Sequence, residues 1–468
     1  MKIIIKYLLV VLLLCNVTSC KKFLEKPPEG SVQEADALKS EADVQALLNG
    51  CYLLMGNDQM YNGKLQTTAE QLADHLFSAN LGGKQQENNL RRSTIFNTDN
   101  ADLFTGIYNI VYRTNKIIEK LDLVSETNRT KVEAEARFIR AVCHFEIARL
   151  WSHNPGFTID NSHLGITLRK SGTLAPPERA TVKETYDFII AELKDAEAKL
   201  PAYVNTRVRA DKNVARAFLA KVYFQMNDFT NAYNYASLVI NSTNYTLEAT
   251  LKTRYSTTAS SESILKVTNI NGQHEPGGRL KQWFSGRTGL PYFRMPEQLY
   301  NYVKGFAGDN RLAFLNNTKY SGSIYLNKYD SNNFEMPIVT LTEMYLTRAE
   351  SAGEIANTIP TALATGIADI NKIIERAYGN NTKNLALTIT QDQLITNVRI
   401  QREIEMIGEG DRLHQIKRIG AHPLPSRRNE RLDRRGSEWN CPGFILQFPD
   451  YEKNANAAFQ LNIEGGCL

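Results

Sequence analysis

Through most of the chain, apolar residues return every three or four positions, the spacing that gathers them on one face of an α-helix. Between Leu103 and Leu121 (LFTGIYNIVYRTNKIIEKL) the recurring positions are Leu103, Ile107, Ile110, Val111, Ile117, Ile118 and Leu121. Ala42 to Met55 has the same character. Val132 to Trp151 repeats it, with Ala136, Ala141 and Cys143, alongside Ile139 and Arg140, supplying small side chains where helices pack closely, and Pro155-Gly156 ends the run. Thr181 to Leu200 opens with Thr181 and Glu184 at capping-box spacing and closes at Pro201.

Ala215 to Asn241 is the most informative stretch. Leu219, Ala220, Tyr223, Phe229 and Ala232 fall at the offsets of a tetratricopeptide repeat. In such a repeat, small residues let one helix approach the next while bulky ones fill the groove between pairs. Thr340 to Arg376 predicts another helical pair, with Leu341, Met344, Tyr345, Ala349 and Ala352 on one face and Ile367, Ile370, Ile373 and Ile374 on its partner. A last helix is predicted from about Gln391 to Ile419. Two long stretches lack a clear period: Ser78 to Asp102, and Asn244 to Asn301 with its β-like Ser263 to Val267 and the aromatic, glycine-rich run from Lys281 to Phe293 (KQWFSGRTGLPYF). Long irregular stretches in a compact protein are commonly functional. The expected fold is mostly α, a tetratricopeptide-like superhelix whose long irregular loop insertions form a ligand face.

The first twenty residues stand apart. Lys2 and Lys6 precede a nine-residue apolar run, Tyr7 to Cys15, and Val17-Thr18-Ser19-Cys20 follows. A spanning helix needs roughly 20 apolar residues, so the run reads as an export signal over 1–19. Its end resembles the bacterial lipobox, which implies a diacylglycerol thioether on Cys20 and an acylated amino terminus. Residues 20–30, polar with Pro27 and Pro28, read as a tether. The remainder, 31–468, is expected to form a single helical domain. It comprises an N-terminal half over 31–243, an irregular ligand-face segment over 244–335 and a C-terminal helical half over 336–468.

Charge and cysteine content narrow the function classes. Without Lys2 and Lys6 the basic count falls from 55 to 53 against 50 acidic residues, too mild an excess to suggest nucleic acid or an acidic substrate. Cys51, Cys143, Cys441 and Cys467 match no zinc spacing. Cys143 lies in an apolar helical pattern and reads as a small buried hydrophobe. An export compartment permits a Cys441–Cys467 disulfide, but sequence leaves open whether their Cα atoms approach closely enough.

Catalytic equipment is sparse. There is no His-Glu-x-x-His, Gly-x-Ser-x-Gly or phosphate-loop signature, and the seven histidines are scattered without metal spacing. A glycosidase-like carboxylate pair is defined by separation in space and is not decided by sequence. The chain reads as a binding protein rather than an enzyme, with no cofactor or metal implied.

Several motifs, in order, carry a family resemblance over nearly the whole chain after the signal. Cys20-Lys21-Lys22-Phe23-Leu24-Glu25 with Pro27 resembles the start of SusD/RagB lipoproteins, nutrient-binding proteins of the Bacteroidota outer membrane. The helix with Tyr108, Tyr112, Asn115 and Ile117, the Glu135 to Phe145 run (EARFIRAVCHF) and Met336 to Ser351 (MPIVTLTEMYLTRAES) are similar to later family motifs. Gln401 to Arg418 (QREIEMIGEGDRLHQIKR) is the most specific match, through Arg402, Glu405, Glu409, Gly410, Arg412 and Arg418; Gln401 and Gln415 stand where the family has acids. The resemblance implies a lipid-anchored outer-membrane protein facing the cell exterior. It also implies a SusC-like TonB-dependent transporter as partner, over which the lipoprotein sits as a lid. Glu405, Glu409, Arg412 and Arg418 themselves read as structural ion pairs at helical spacings.

Sugar rings stack their C–H faces on flat aromatics, while Asn, Asp and Arg bond their hydroxyls. On that chemistry Trp283 and Tyr292 are the expected platform for an oligosaccharide, with Arg287 and Asn97 as polar contacts. An oligopeptide ligand, as the RagB branch implies, and a scaffold that binds only proteins are the alternatives.

Overall fold

The computed structural model describes residues 38–467 except 79–82, 174, 256–259, 268–279, 281–282, 285–290, 319–321 and 332–334. Helix accounts for 54 % of the described residues. Among the described residues, α1 (Glu41–Met55), α2 (Lys64–Leu72) and the short α3 (Lys84–Asn89) come first. Two long ones follow, α4 (Thr98–Glu119) and α5 (Glu126–Trp151), then α6 (Val182–Lys199), α7 (Lys212–Gln225) and α8 (Phe229–Ile240). The C-terminal half supplies α11 (Leu341–Ile355), α12 (Pro360–Tyr378), α13 (Gln391–Glu405) and α14 (Arg412–Gly420); the short α9 (Leu251–Arg254) and α10 (Glu297–Lys304) lie between the halves, and α15 (Asp450–Ala455) lies near the end.

Successive helices pack on one another from α4 through α8, and α8 then packs on α11, which contacts α12 and α13. The order follows from the repeat chemistry. Leu219, Ala220 and Ala232 are fully buried, and Tyr223 and Phe229 nearly so, because small side chains at the α7–α8 crossing let the backbones close. The predicted capping box is present: Thr181 accepts from the Glu184 backbone N–H while the Glu184 carboxylate takes the Thr181 N–H. All nine apolar positions assigned to the Thr340–Arg376 pair are buried.

Tyr108 and Asn115 of α4 and Arg140 of α5 act as one clamp. Tyr108 donates to the Thr167 carbonyl at 2.6 Å, and Asn115 donates to the carbonyls of Arg169 and Ser171 at 3.1 and 2.8 Å. Arg140 reaches the Asn115 carbonyl oxygen at 2.8 Å and grips Glu192 of α6 with Nε and Nη2 at 2.8 and 2.6 Å. Three helices and the segment after β2 (Leu164–Thr167) are thereby tied at buried positions.

The C-terminal helix departs from the expected continuous Gln391–Ile419 run. It breaks at Met406–Asp411 because Gly408 and Gly410 both take φ +81, a left-handed conformation that only glycine adopts freely. A Cβ on Gly408 would stand 2.3 Å from Leu326 Cδ2, so the break also admits a neighbouring strand. The Ser78–Asp102 stretch is likewise more regular than its sequence suggests, since it holds α3 and the first turn of α4. Cys441 and Cys467 form a disulfide with Cα atoms 5.5 Å apart, and Cys51 and Cys143 are free and buried.

Among the described residues the buried apolar side chains form two clusters. The larger follows the helical array, from Val44 to Phe459. The smaller gathers Leu76, Leu251, Tyr255, Phe284, Phe293, Met295 and Tyr329 under the irregular segment.

Candidate functional site

The smaller cluster supports a strip of short strands. β1 (Phe77–Ser78) pairs antiparallel with β5 (Phe293–Arg294), placing Phe77 opposite Arg294 and Ser78 opposite Phe293. Met295 bridges Ile324, which leads into β7 (Tyr325–Leu326), and β7 pairs with β6 (Leu315–Asn316). Ser78 N–H donates to the Asn89 side chain at 3.2 Å, so α3 anchors the end of β1.

Side chains alternate across this ribbon. Ser78, Phe293 and Met295 point into the cluster and are buried, whereas Phe77, Tyr292 and Arg294 face the other way and are half-buried or exposed. Tyr292 is 37 % exposed. Its ring stands edge-on to Phe293 at 5.0 Å between centroids, and half-buried Trp283 stands edge-on to the same ring at 5.8 Å. The buried Phe293 therefore fixes both aromatic rings predicted as a platform. Arg294 sits beside them with its Nε buried and without a hydrogen-bond partner. Such a surface offers flat apolar area beside a half-buried guanidinium, chemistry suited to a polyhydroxylated ligand.

Asn97 does not join this group. It is 2 % exposed and caps α4, accepting from the Asn100 N–H at 3.1 Å while donating to the Lys84 carbonyl and to Glu87, both at 3.1 Å. Every polar atom of its side chain is spent on structure, because an asparagine before a helix satisfies an otherwise orphan N–H. Arg91, a basic residue of the same stretch, is also structural: it is buried and bidentate to Asp433 at 2.8 and 2.6 Å. Arg287 and Cys20 lie outside the described residues. Phe77 and Arg294 were missed in the sequence, where only the alternation of Tyr292-Phe293-Arg294-Met295 signals a strand.

The charged residues of the Gln401–Arg418 motif are buried or nearly so, and their partners lie on other elements rather than along their own helix. Glu405 meets Arg376 at 2.6 Å, Arg311 at 3.2 Å and Arg254 at 3.6 Å. Glu409 meets Lys328 at 2.5 Å and Arg254 at 2.8 Å. Arg412 pairs with Asp74 at 2.9 Å, Arg418 with Glu350 at 2.8 Å, and Arg402 with Asp411 at 2.8 Å. Burial opposes the charge on Glu405, yet the guanidiniums of Arg376, Arg254 and Arg311 hold its pKa down to about 2. These ion pairs fasten the irregular segment to α12 and α13. Among the described residues no cluster of His, Cys, Asp and Glu is placed to hold a metal ion, and no helix is long and apolar enough to cross a membrane.

Comparison with known proteins bears on what this surface serves. A family described as "Starch-binding associating with outer membrane" matches residues 22–224, and one described as "SusD family" matches 297–463. A SusD-like protein P2 of Formosa agariphila is 24 % identical over 464 residues, covering 87 % of this chain and 89 % of that protein. A SusD superfamily protein of Bacteroides thetaiotaomicron superposes with a TM-score of 0.78 at 20 % identity, covering 91 % of this chain and all of that one. A SusD-like carbohydrate binding protein of Bacteroides vulgatus gives 0.74 at 16 % identity, covering 90 % of this chain and 98 % of that one.

Proposed function

The chain belongs to the SusD/RagB family of outer-membrane-associated proteins, and from that premise we propose that it captures an oligosaccharide at the cell surface. The single observation that carries this is the ribbon face. Tyr292 and Trp283 are held edge-on by a buried Phe293, with Phe77 and Arg294 beside them. Rings fixed before the ligand arrives add contact area at little ordering cost. One sugar unit lies over the exposed Tyr292 ring, and the Arg294 guanidinium donates to its hydroxyls. Delivery to a SusC-like TonB-dependent transporter and anchoring through acylated Cys20 complete the proposal. The apolar run at Tyr7–Cys15, the small residues before Cys20 and the family itself support them.

Calorimetry of the wild-type protein against matched panels of oligosaccharides and short peptides tests the ligand class. Saturable binding of at least one glycan, with no heat from peptides, is expected. Binding of peptides alone overturns the sugar reading, and binding of neither leaves only a protein-binding scaffold.

A further inference from the structure

A cleft of about 240 Å³ opens between α13, α14, the loop 429–432 and Tyr302 of α10. His75 on its wall lies two residues before Phe77 of the ribbon, at most about 7 Å along the chain. The cleft is nonetheless a different place, since none of Phe77, Trp283, Tyr292 and Arg294 lines it. Pockets for drug-sized molecules measure roughly 300–1,000 Å³, so this one admits a single ring rather than a chain.

The charges around the cleft are already answered. Glu403 is bound by His75 at 3.3 Å and by Arg412 at 3.2 Å, and Arg434 joins them. Arg402 is bidentate to Asp411, while Arg399 is spent on Glu350, Glu354 and the Arg427 carbonyl. A charged ligand would meet no uncompensated counter-charge here, and burying a charge without one is costly.

Free hydrogen-bonding capacity rests with three neutral groups. The hydroxyls of Tyr302 and Thr396 and the side-chain amide of Asn429 line the cleft and have no hydrogen-bond partner among the described residues. Thr396 and Asn429 are exposed at the mouth, and half-buried Tyr302 keeps its hydroxyl open to solvent. Arg434 covers one face of the Tyr302 ring at 4.5 Å and Phe306 meets the ring edge-on at 5.4 Å, so Tyr302 offers its hydroxyl rather than a stacking face. Burial, with Glu403 nearby, pushes that hydroxyl's pKa up to about 12 and keeps it protonated. Each of the three groups both donates and accepts, as sugar hydroxyls do, whereas a carboxylate only accepts and an ammonium only donates. Ile400, Ile419 and Leu432 supply an apolar wall for the C–H face of a ring.

From this arrangement we infer that the cleft holds one neutral sugar ring, in a site separate from the Tyr292 platform. The choice of a sugar among neutral polyols rests on the oligosaccharide reading above; the neutrality and the place of the ligand do not.

The experiment is saturation-transfer NMR of the full chain with glucose, galactose, mannose and xylose, and with glucuronate and glucosamine as charged counterparts. At least one neutral sugar is expected to receive transfer and the charged ones not. Thr396→Trp, which fills the mouth, is expected to abolish the signal. Tyr302→Phe, which removes only the hydroxyl, is expected to weaken binding about threefold or more. Helical content is checked for both, and Tyr292→Ala is expected to retain the signal. The inference is overturned if no neutral sugar receives transfer, if the charged sugars bind as well, or if both folded cleft variants bind as wild type does. A signal lost in Tyr292→Ala but kept in Thr396→Trp also overturns it, and leaves sugar capture at the ribbon standing. A signal kept in Tyr292→Ala and lost in Thr396→Trp upholds the cleft whatever the ribbon binds.

Discussion

Replacing Glu405 by Gln removes one charge from a buried cluster while keeping the side chain's shape. The wild-type carboxylate, 1 % exposed, neutralises guanidiniums from three elements: Arg376 on α12, Arg311 before β6 and Arg254 on α9. Its pKa of about 2, against an ordinary 4.5, corresponds to about 3 kcal/mol of stabilisation by the folded surroundings. Breaking a buried pair by removing one partner commonly costs about 3–5 kcal/mol, in agreement. For a folded body of roughly 400 residues, with an unfolding entropy of about 2 cal/mol/K per residue, that loss lowers Tm by about 4–6 °C. The sign with pH follows from the lowered value. The stabilisation is present in full above about pH 4.5 and is lost as pH falls toward 2, where the wild-type carboxylate takes up its proton. Thermal melts of wild type and Glu405→Gln followed by circular dichroism at pH 7 and at pH 3 make the comparison. A gap of several degrees at pH 7 that narrows at pH 3 is expected. Equal melting at pH 7, or a gap of the same size at both pH values, refutes an ion-pair origin.

Further changes probe other parts of the molecule. Gly408→Ala forces an alanine to φ +81 and against Leu326, and chemical denaturation is expected to show a loss of about 1–2 kcal/mol or more. Reduction of the Cys441–Cys467 disulfide opens a link across a sequence separation of 26, worth about 3 kcal/mol in loop entropy, and a lower denaturation midpoint in reductant is expected. Cys20→Ala is expected to leave the protein in the aqueous phase on detergent partitioning; a variant still carrying acyl chains would contradict lipidation at that residue.

The helical array was legible because its signal is local. Periodic apolar faces, a capping box and the offsets of a helical repeat each need only one stretch of chain, and Leu219, Ala232, Ile370 and Thr181 all took the places their spacing assigned. What escaped was set by contacts distant in sequence. Gly408 and Gly410 break a helix that periodicity continues, because strand β7 must pass there. Glu405 and Glu409 read as ion-pair partners of Arg412 and Arg418 at helical spacing, but their cations come from positions 254, 311, 328 and 376. Half of the proposed platform is readable from the aromatic run around Pro291. Phe77 and Arg294 enter it only through strand pairing across more than two hundred residues. Asn97 shows the converse error. An asparagine in an irregular stretch suits a ligand or a helix cap equally well by type, and only the start of α4 decides for the cap.

Oligosaccharide capture at the ribbon face is tested most directly by calorimetry of the tightest-binding glycan against wild type, Trp283→Ala and Tyr292→Ala, with helical content verified for each. Truncating a central aromatic anchor commonly costs about 2 kcal/mol, roughly thirty-fold in Kd, and a loss of that order is predicted for Tyr292→Ala, which removes the exposed ring of the proposed platform. Trp283→Ala is predicted to weaken binding as well. Two folded variants that bind the glycan with wild-type affinity would contradict the assignment of the ribbon face as the ligand site.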